Sequence, residues 1–278
     1  MKTNCSEIQN KILEIVKYFD GFCKENNIEY YLMGGSALGA IRHGGFIPWD
    51  DDFDVFMNYE NYTKFIKLCE EKLDVTKFYL QKENTKEWPL FFTKLRMNGT
   101  TFIEVDSKNR IMHKGFYIDI MCLNNTPSNK IIRYFQYFSA RLLTIATLAE
   151  RGYETNNYIK KITLLIFRPI INVKIKELLL KIVRSFNKKD TIYVGHFFGR
   201  ARFNKTSFLK EYLGKPRLVN FVDIKLPVPS NVEKYLEIRY GSKFMEMPSE
   251  KTKSLYPSHF IFADPNTDYS FYENKNIL

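Results

Sequence analysis

Four cysteines, at positions 5, 23, 69 and 122, lie scattered through the chain with no CxxC pair. That spacing excludes a zinc site or disulfide framework and suits a reducing compartment. No run reaches the roughly 18 uncharged residues of a membrane span, and the N-terminus MKTNCSEIQNKILEIV lacks the apolar core of a signal peptide. The expected location is cytoplasmic, soluble or peripheral on the inner face of the cytoplasmic membrane. Repeats and low-complexity segments are absent. So are the RRM, KH and zinc-finger signatures, which leaves positive charge as the sole argument for nucleic acid; no nucleic-acid partner is expected.

What is present describes a folded protein. The 278 residues are 45% hydrophobic and 26% charged, enough for one large domain or two small ones with a sizeable core. Phenylalanine and tyrosine are abundant, at 24 and 18. The net charge of +11 and a pI near 9.3 favour anionic partners such as nucleotides or anionic lipid.

Chemistry concentrates in Tyr30–Met57, YYLMGGSALGAIRHGGFIPWDDDFDVFM. Asp50, Asp52 and Asp54 alternate with Asp51 and Phe53, so on an extended strand the three carboxylates share one face while Phe53 and Val55 turn to the core. Carboxylates held about 4 Å apart repel by roughly 4 kcal/mol at an effective dielectric near 20. A divalent cation with hard oxygen ligands relieves that repulsion, and Mg²⁺ fits. Gly34-Gly35-Ser36, read as a turn between a strand and a helix, can bring backbone N–H groups against phosphate oxygens. Asp119 lies inside the apolar run Gly115–Leu123, GFYIDIMCL. A salt bridge is the ordinary explanation for such a residue; the other is a third metal or general-base carboxylate.

The hydrophobic periods predict a helix from Ser6, its cap, to about Asn26-Asn27. Strands follow at Glu29–Met33 and Asp52–Met57, with a short helix Ala37–Ile41 between them. Asn58 caps a helix carrying Tyr62, Phe65, Ile66, Cys69 and Leu73. Further strands are expected at Lys77–Gln81, Leu90–Met97 and Thr101–Val105, the last two joined by an Asn98-Gly99 hairpin turn. From Lys130 to about Asn187 the texture is helical, apolar and basic. Charges at Arg168, Lys174, Lys176 and Glu177, together with Pro169, exclude residues 162–183 as a comfortable membrane span. They leave either a packed helical subdomain or a surface lying on anionic lipid. Leu226–Pro229, with the helix that follows, reads as a loop packed back on the core, and the polar residues from Asp264 as mobile. The division is a catalytic core at 1–128, a helical insertion at 129–190 and a returning segment at 191–278.

The run GGSALGAIRHGGFIPWDDDFDVFM closely resembles the LicD family of phosphotransferases, related to fukutin and the fukutin-related protein. Supporting matches stand at Lys94-Leu95-Arg96, His113–Gly115, Tyr117–Ile120, Pro127, Pro227–Pro229, Tyr235-Leu236, Tyr240-Gly241 and His259. The resemblance implies an α/β (α+β) fold, a nucleotidyltransferase-like mixed sheet flanked by helices with a mostly helical insertion. Carried over, it implies that Asp52, Asp54 and Asp119 bind Mg²⁺, with Mn²⁺ an alternative, and act as the catalytic set. Gly35 and Ser36, with Gly34, would contact donor phosphate. The activity implied is transfer of a phospho-alcohol, foremost phosphocholine from CDP-choline, to a glycan hydroxyl. Lipopolysaccharide, teichoic acid and capsule precursors, lipid-linked or not, are the acceptors in view.

On that mechanism Arg42, Lys94 and Arg96 are candidates for donor-phosphate contacts, and Asp119 or Asp50 for the acceptor proton. Asp50, Asp51, His43, His113 and His259 stand in second rank. Rival readings are a nucleotidyltransferase that releases diphosphate, a basic nucleic-acid-binding module and a non-catalytic partner in glycan assembly. Two departures fall outside the carboxylate set. Cys122-Leu123-Asn124 replaces the usual Pro-Leu-Asp, and Met247-Pro248 with Lys251-Thr252-Lys253 replaces a Pro-Pro pair and an arginine.

Overall fold

The structure is a computed structural model that describes residues 5–104, 108, 110–150, 162, 172–199, 201–254 and 258–275. It opens on α1 (Cys5–Glu25), which buries Ile8, Ile12, Ile15, Val16 and Phe19 along one side. Ser6 is already inside that helix rather than its cap. Next come β1 (Tyr31–Leu32), α2 (Gly34–His43), β2 (Asp54–Asn58) and α3 (Tyr59–Lys72). Asn58 does cap α3, its side chain accepting from the Asn61 N–H. Gly34-Gly35-Ser36 is the first turn of α2 and not a turn preceding it.

Beyond α3 the chain forms β3 (Phe78–Gln81), β4 (Thr93–Met97), β5 (Thr101–Glu104) and the ten-residue β6 (Tyr117–Thr126). The helices α4 (Lys130–Glu150) and α5 (Val173–Arg184) follow, then β7 (Tyr193–Gly195) and β8 (Ser207–Leu209). The hairpin β9 (Arg217–Phe221) and β10 (Ile224–Val228), α6 (Val232–Tyr240), α7 (Glu250–Lys253), β11 (Phe260–Asp264) and α8 (Tyr269–Asn274) complete the order.

The main sheet is mixed. Its order is β1-β2-β6-β4-β3, with β7 and β8 continuing from the far end of β6. Strand β6 is the hinge of this arrangement: it runs parallel to β2, antiparallel to β4, and antiparallel to β7 through Asn124–Thr126. Val55 and Ile120, paired across β2 and β6, are fully buried in the core that α1 and α3 cover. Side chains directly opposite one another on neighbouring strands project to the same face, so the next residues in each strand face the other way. The fold is thus a mixed α/β sheet flanked by helices.

Three further expectations fail. Asn98-Gly99 is a turn, with Gly99 at φ 70, but β4 and β5 do not pair. β4 instead takes β3 and β6 as neighbours, and β5 pairs with β11 from the other end of the chain. Residues 265–275 are packed and not loose. Thr101 Oγ1 donates to the Thr267 carbonyl, the Gly99 N–H to Asp268, and Lys114 to Glu273 2.5 Å away. The third concerns Leu226–Pro229, which is not a loop but lies largely in strand β10.

Residues 163–171 of the apolar-basic stretch, with Arg168 and Pro169, and Val105 at the end of β5 lie outside the described residues. α4 and α5 pack together over a small core of Phe91, Ala140, Leu143, Leu179, Val183 and Phe197. Among the described residues, no helix is long and apolar enough to cross a membrane.

Candidate active site

Asp54 opens β2, and its register partner on β6 is Asp119. On the other side of β6 the partner of Asp119 is Lys94 of β4. The three side chains therefore form a row across three adjacent strands, on the face opposite Val55 and Ile120. Lys94 is 2% exposed; its Nζ lies 3.3 Å from Asp119 Oδ1 and 3.5 Å from Glu104 Oε2. The ammonium also sits over the Tyr117 ring, 3.1 Å from its centre, while the Tyr117 hydroxyl donates to Glu104. Asp119 Oδ1 makes no directed hydrogen bond despite the nearby lysine.

The start of α2 frames the other side. Gly34 has φ 63, and a Cβ there would lie 3.0 Å from Asp54 Oδ2. At Gly35 a Cβ would come within 2.7 Å of Asp50 Oδ2. Both glycines are therefore needed to let carboxylates approach the positive end of the helix, where the partial charge of unpaired N–H groups favours them. Ser36 Oγ accepts the Asp54 N–H at 2.7 Å, locking strand to helix. The Gly34 N–H, one of the candidates for phosphate, donates instead to the Tyr235 hydroxyl of α6 at 2.9 Å.

Asp51 faces away from this row and holds the C-terminal segment. Its carboxylate accepts the His259 backbone N–H at 2.7 Å and pairs with His259 Nδ1 at 2.7 Å. That places His259 Nδ1 3.7 Å from Asp52 Oδ2. The Asp50 carbonyl accepts from Gln9 of α1 at 2.8 Å and from Cys5 Sγ at 3.3 Å, fixing the acidic loop from below.

The electrostatics follow from crowding and burial. Asp54 binds its proton far more tightly than usual because it is buried beside Asp52, Asp119 and Asp50. Burial and the neighbouring Asp52 push Asp50 up to about 8, and burial, partly offset by Lys94, pushes Asp119 up to about 6. Asp52 is raised by burial too, against the pull of His259. His259 is raised to about 9, chiefly by its hydrogen bond to Asp51. Crowded, hard-oxygen carboxylates of this kind are the donor set a divalent cation takes. Among the described residues, no three His, Cys, Asp or Glu side chains are drawn close enough to hold a metal ion.

The remaining candidates are placed as follows. Arg42 donates to the Phe244 and Glu246 carbonyls and to His43 Nε2, pinning the segment after α6. Arg96 is 1% exposed and donates to Gln81 and the Gly115 carbonyl, which makes it a strut of the sheet. His113 stacks on Tyr79 and bonds Asn98 and Gly115; burial lowers it to about 4. None of its partners belongs to the carboxylate row. Lys94 faces Asp119 from inside the sheet, not from an open surface.

Glu104 has no place in the sequence reading, Tyr235 enters it only as a supporting match, and Asp51 and His259 stand there in second rank with no link between them. The pair joins residues 208 positions apart, for which no local signal exists.

A helix start and two parallel strands thus gather carboxylates around a glycine pair. Residues 27–131 match the model described as LicD/FKTN/FKRP, nucleotidyltransferase domain. Over these residues the chain is similar to the LicD family. It is 25% identical over 268 residues to the lipopolysaccharide cholinephosphotransferase LicD of Haemophilus influenzae, covering 93% of this chain and 97% of that protein. It is 44% identical over 115 residues to the human ribitol 5-phosphate transferase FKRP, covering 38% of this chain and 22% of that protein. The mannosyltransferase regulator 4 of Saccharomyces cerevisiae is 24% identical over 160 residues, 54% of this chain and 13% of that protein.

Proposed function

We propose that this chain transfers a phospho-alcohol from a CDP-activated donor to a hydroxyl of a cell-surface glycan, with phosphocholine the first donor group to test. The observation that carries the reading is the register pair Asp54–Asp119 set against the glycine start of α2. The relatives support it in kind. One is named for choline phosphate and lipopolysaccharide, another for ribitol 5-phosphate, so what they share is the phospho-alcohol and not one alcohol.

Asp52, Asp54 and Asp119 are the residues that would hold Mg²⁺ or Mn²⁺. When bound, such an ion neutralises the donor diphosphate and the charge developing on departing CMP. Lys94 supplies a fixed positive charge at Asp119, and His259, protonated against Asp51, adds a second beside Asp52. Ser36 keeps the Asp54 backbone in place through the transfer. The acceptor oxygen forms its bond to the alcohol-bearing phosphorus in line with the departing CMP oxygen. The P–O bond to CMP breaks, and the acceptor proton passes to a carboxylate, for which Asp119 and Asp50 are the candidates.

The test is product analysis over CDP-choline, CDP-ethanolamine, CDP-ribitol and CDP-glycerol, with Mg²⁺ and envelope glycan acceptors. The expected result is CMP release with one donor preferred and loss of release in EDTA. Diphosphate release from a nucleoside triphosphate, with no CMP from any donor, overturns the reading in favour of nucleotidyl transfer.

A further inference from the structure

The two helices α4 and α5 bury one side of themselves and, among the described residues, leave the other without a partner. On α4 the residues Ile131, Phe135 and Phe138 fall at i, i+4 and i+7, one stripe of a helix surface. They are 69%, 60% and 48% exposed, while Gln136, Ser139, Ala140 and Leu143 on the other side are buried. Tyr134, beside the stripe, is half exposed and packs edge-on against Phe203. α5 repeats the pattern: Val173 and Leu178 are exposed, and Leu179 and Val183 are buried. An aromatic and aliphatic stripe of this length in water is costly unless something covers it.

The charge around the stripe identifies what covers it. Residues 130–150 and 172–189 carry nine Lys or Arg against the two acidic residues Glu150 and Glu177. Lys130, Lys174 and Lys181 are exposed. A second copy of the same face would bring that positive excess against itself. Both helices are amphipathic, and neither is long and apolar enough to span a bilayer. Basic residues flanking an apolar stripe on such helices suit the interface plane of an anionic membrane, with the rings among the acyl chains and the ammonium groups at the headgroups.

We propose that the α4–α5 face binds the surface of an anionic phospholipid bilayer. The face connects to the candidate site through its own packing. Phe91 lies in the small core beneath the two helices, and the ring of the next residue, Phe92, is 5.8 Å from the Lys94 ammonium. A membrane-bound chain would thus hold its carboxylate row at a fixed distance from lipid.

Vesicle co-sedimentation of the full chain tests this without donor or acceptor, so its outcome is separate from that of the proposed activity. Vesicles of phosphatidylcholine alone are compared with vesicles containing about one third phosphatidylglycerol, at low and high salt. The wild type is expected to sediment with the anionic vesicles only, and to be released by salt. Phe135→Asp/Phe138→Asp and Lys174→Glu/Lys181→Glu should each weaken binding by about tenfold or more with unchanged melting temperature. The proposal is overturned if the wild type ignores anionic vesicles at low salt, or if both variants bind as it does. It is equally overturned if sedimentation shows a dimer that Phe135→Asp/Phe138→Asp dissociates.

Discussion

Asp54 and Asp119 are register partners on neighbouring parallel strands, and Lys94 occupies the corresponding position on the other side of Asp119. Two like charges and one opposite charge in a row make a site that is electrostatically incomplete by itself. It gains from any further positive charge, and loses little when the Asp54 carboxylate is removed.

Asp54→Asn and Asp119→Asn should each lower CMP release by about 10³ or more, roughly 4 kcal/mol of barrier. Asp54→Asn should not lower the melting temperature of the metal-free protein, because it removes a carboxylate whose ionised form is disfavoured in the fold; Asp119→Asn should lower it, because it also takes a partner from the buried Lys94. Near-normal turnover in both variants would remove these residues from the site.

Lys94→Met has the opposite signature. It leaves Asp119 buried without its counter-charge and should destabilise the protein by about 3–5 kcal/mol in urea titration. Adding Asp119→Asn to Lys94→Met should recover part of that loss, and a strictly additive double variant would show that the two residues are not coupled.

Gly34→Ala forces a side chain into a left-handed backbone position and against Asp54 Oδ2, and should cost about 1–3 kcal/mol. Gly35 has no positive φ, so Gly35→Ala should act mainly by displacing Asp50. The expected contrast is a clear fall in melting temperature for the first and a fall in turnover with a smaller thermal effect for the second.

His259 sets a pH dependence. Its proton is held more tightly in the fold, up to about 9, than in the unfolded chain, where histidine titrates near 6.5. The Asp51–His259 contribution is therefore fully present below about pH 6.5 and lost as pH rises through about 9. Asp50, raised to about 8, has the same sign. Melting curves of the metal-free protein should fall in temperature across that window, and His259→Asn should flatten part of the fall. A wild-type melting temperature that rises from pH 6.5 to 9 contradicts the assignment.

Val222 is the first residue of the two-residue loop between β9 and β10 and has φ 56, a position that favours glycine. Val222→Gly should raise stability by about 0.5–1 kcal/mol, read in urea, with turnover unchanged.

Tyr30–Met57 was legible because it compresses glycines, a basic loop and alternating aspartates into one stretch, and because a carboxylate inside an apolar strand marked Asp119. The mixed sheet was legible from strand and helix periods. The strand order was not: nothing local to Lys94 says that β4 lies beside β6, so an internal counter-charge looked like a surface phosphate ligand. The same limit separates Asn98-Gly99, a turn correctly placed, from its assumed strand pairing. Asp51 read as one more aspartate in a cluster, since its partner is 208 residues away.

The Asp51–His259 clasp also bears on how the protein comes into being. Synthesis proceeds from the N-terminus, so the acidic loop leaves the ribosome long before the segment that latches it. Tyr235, which takes the Gly34 N–H, arrives late as well. A nascent chain therefore carries its carboxylates without the two contacts that position them, and the site is assembled only after Tyr235 and His259 have been made.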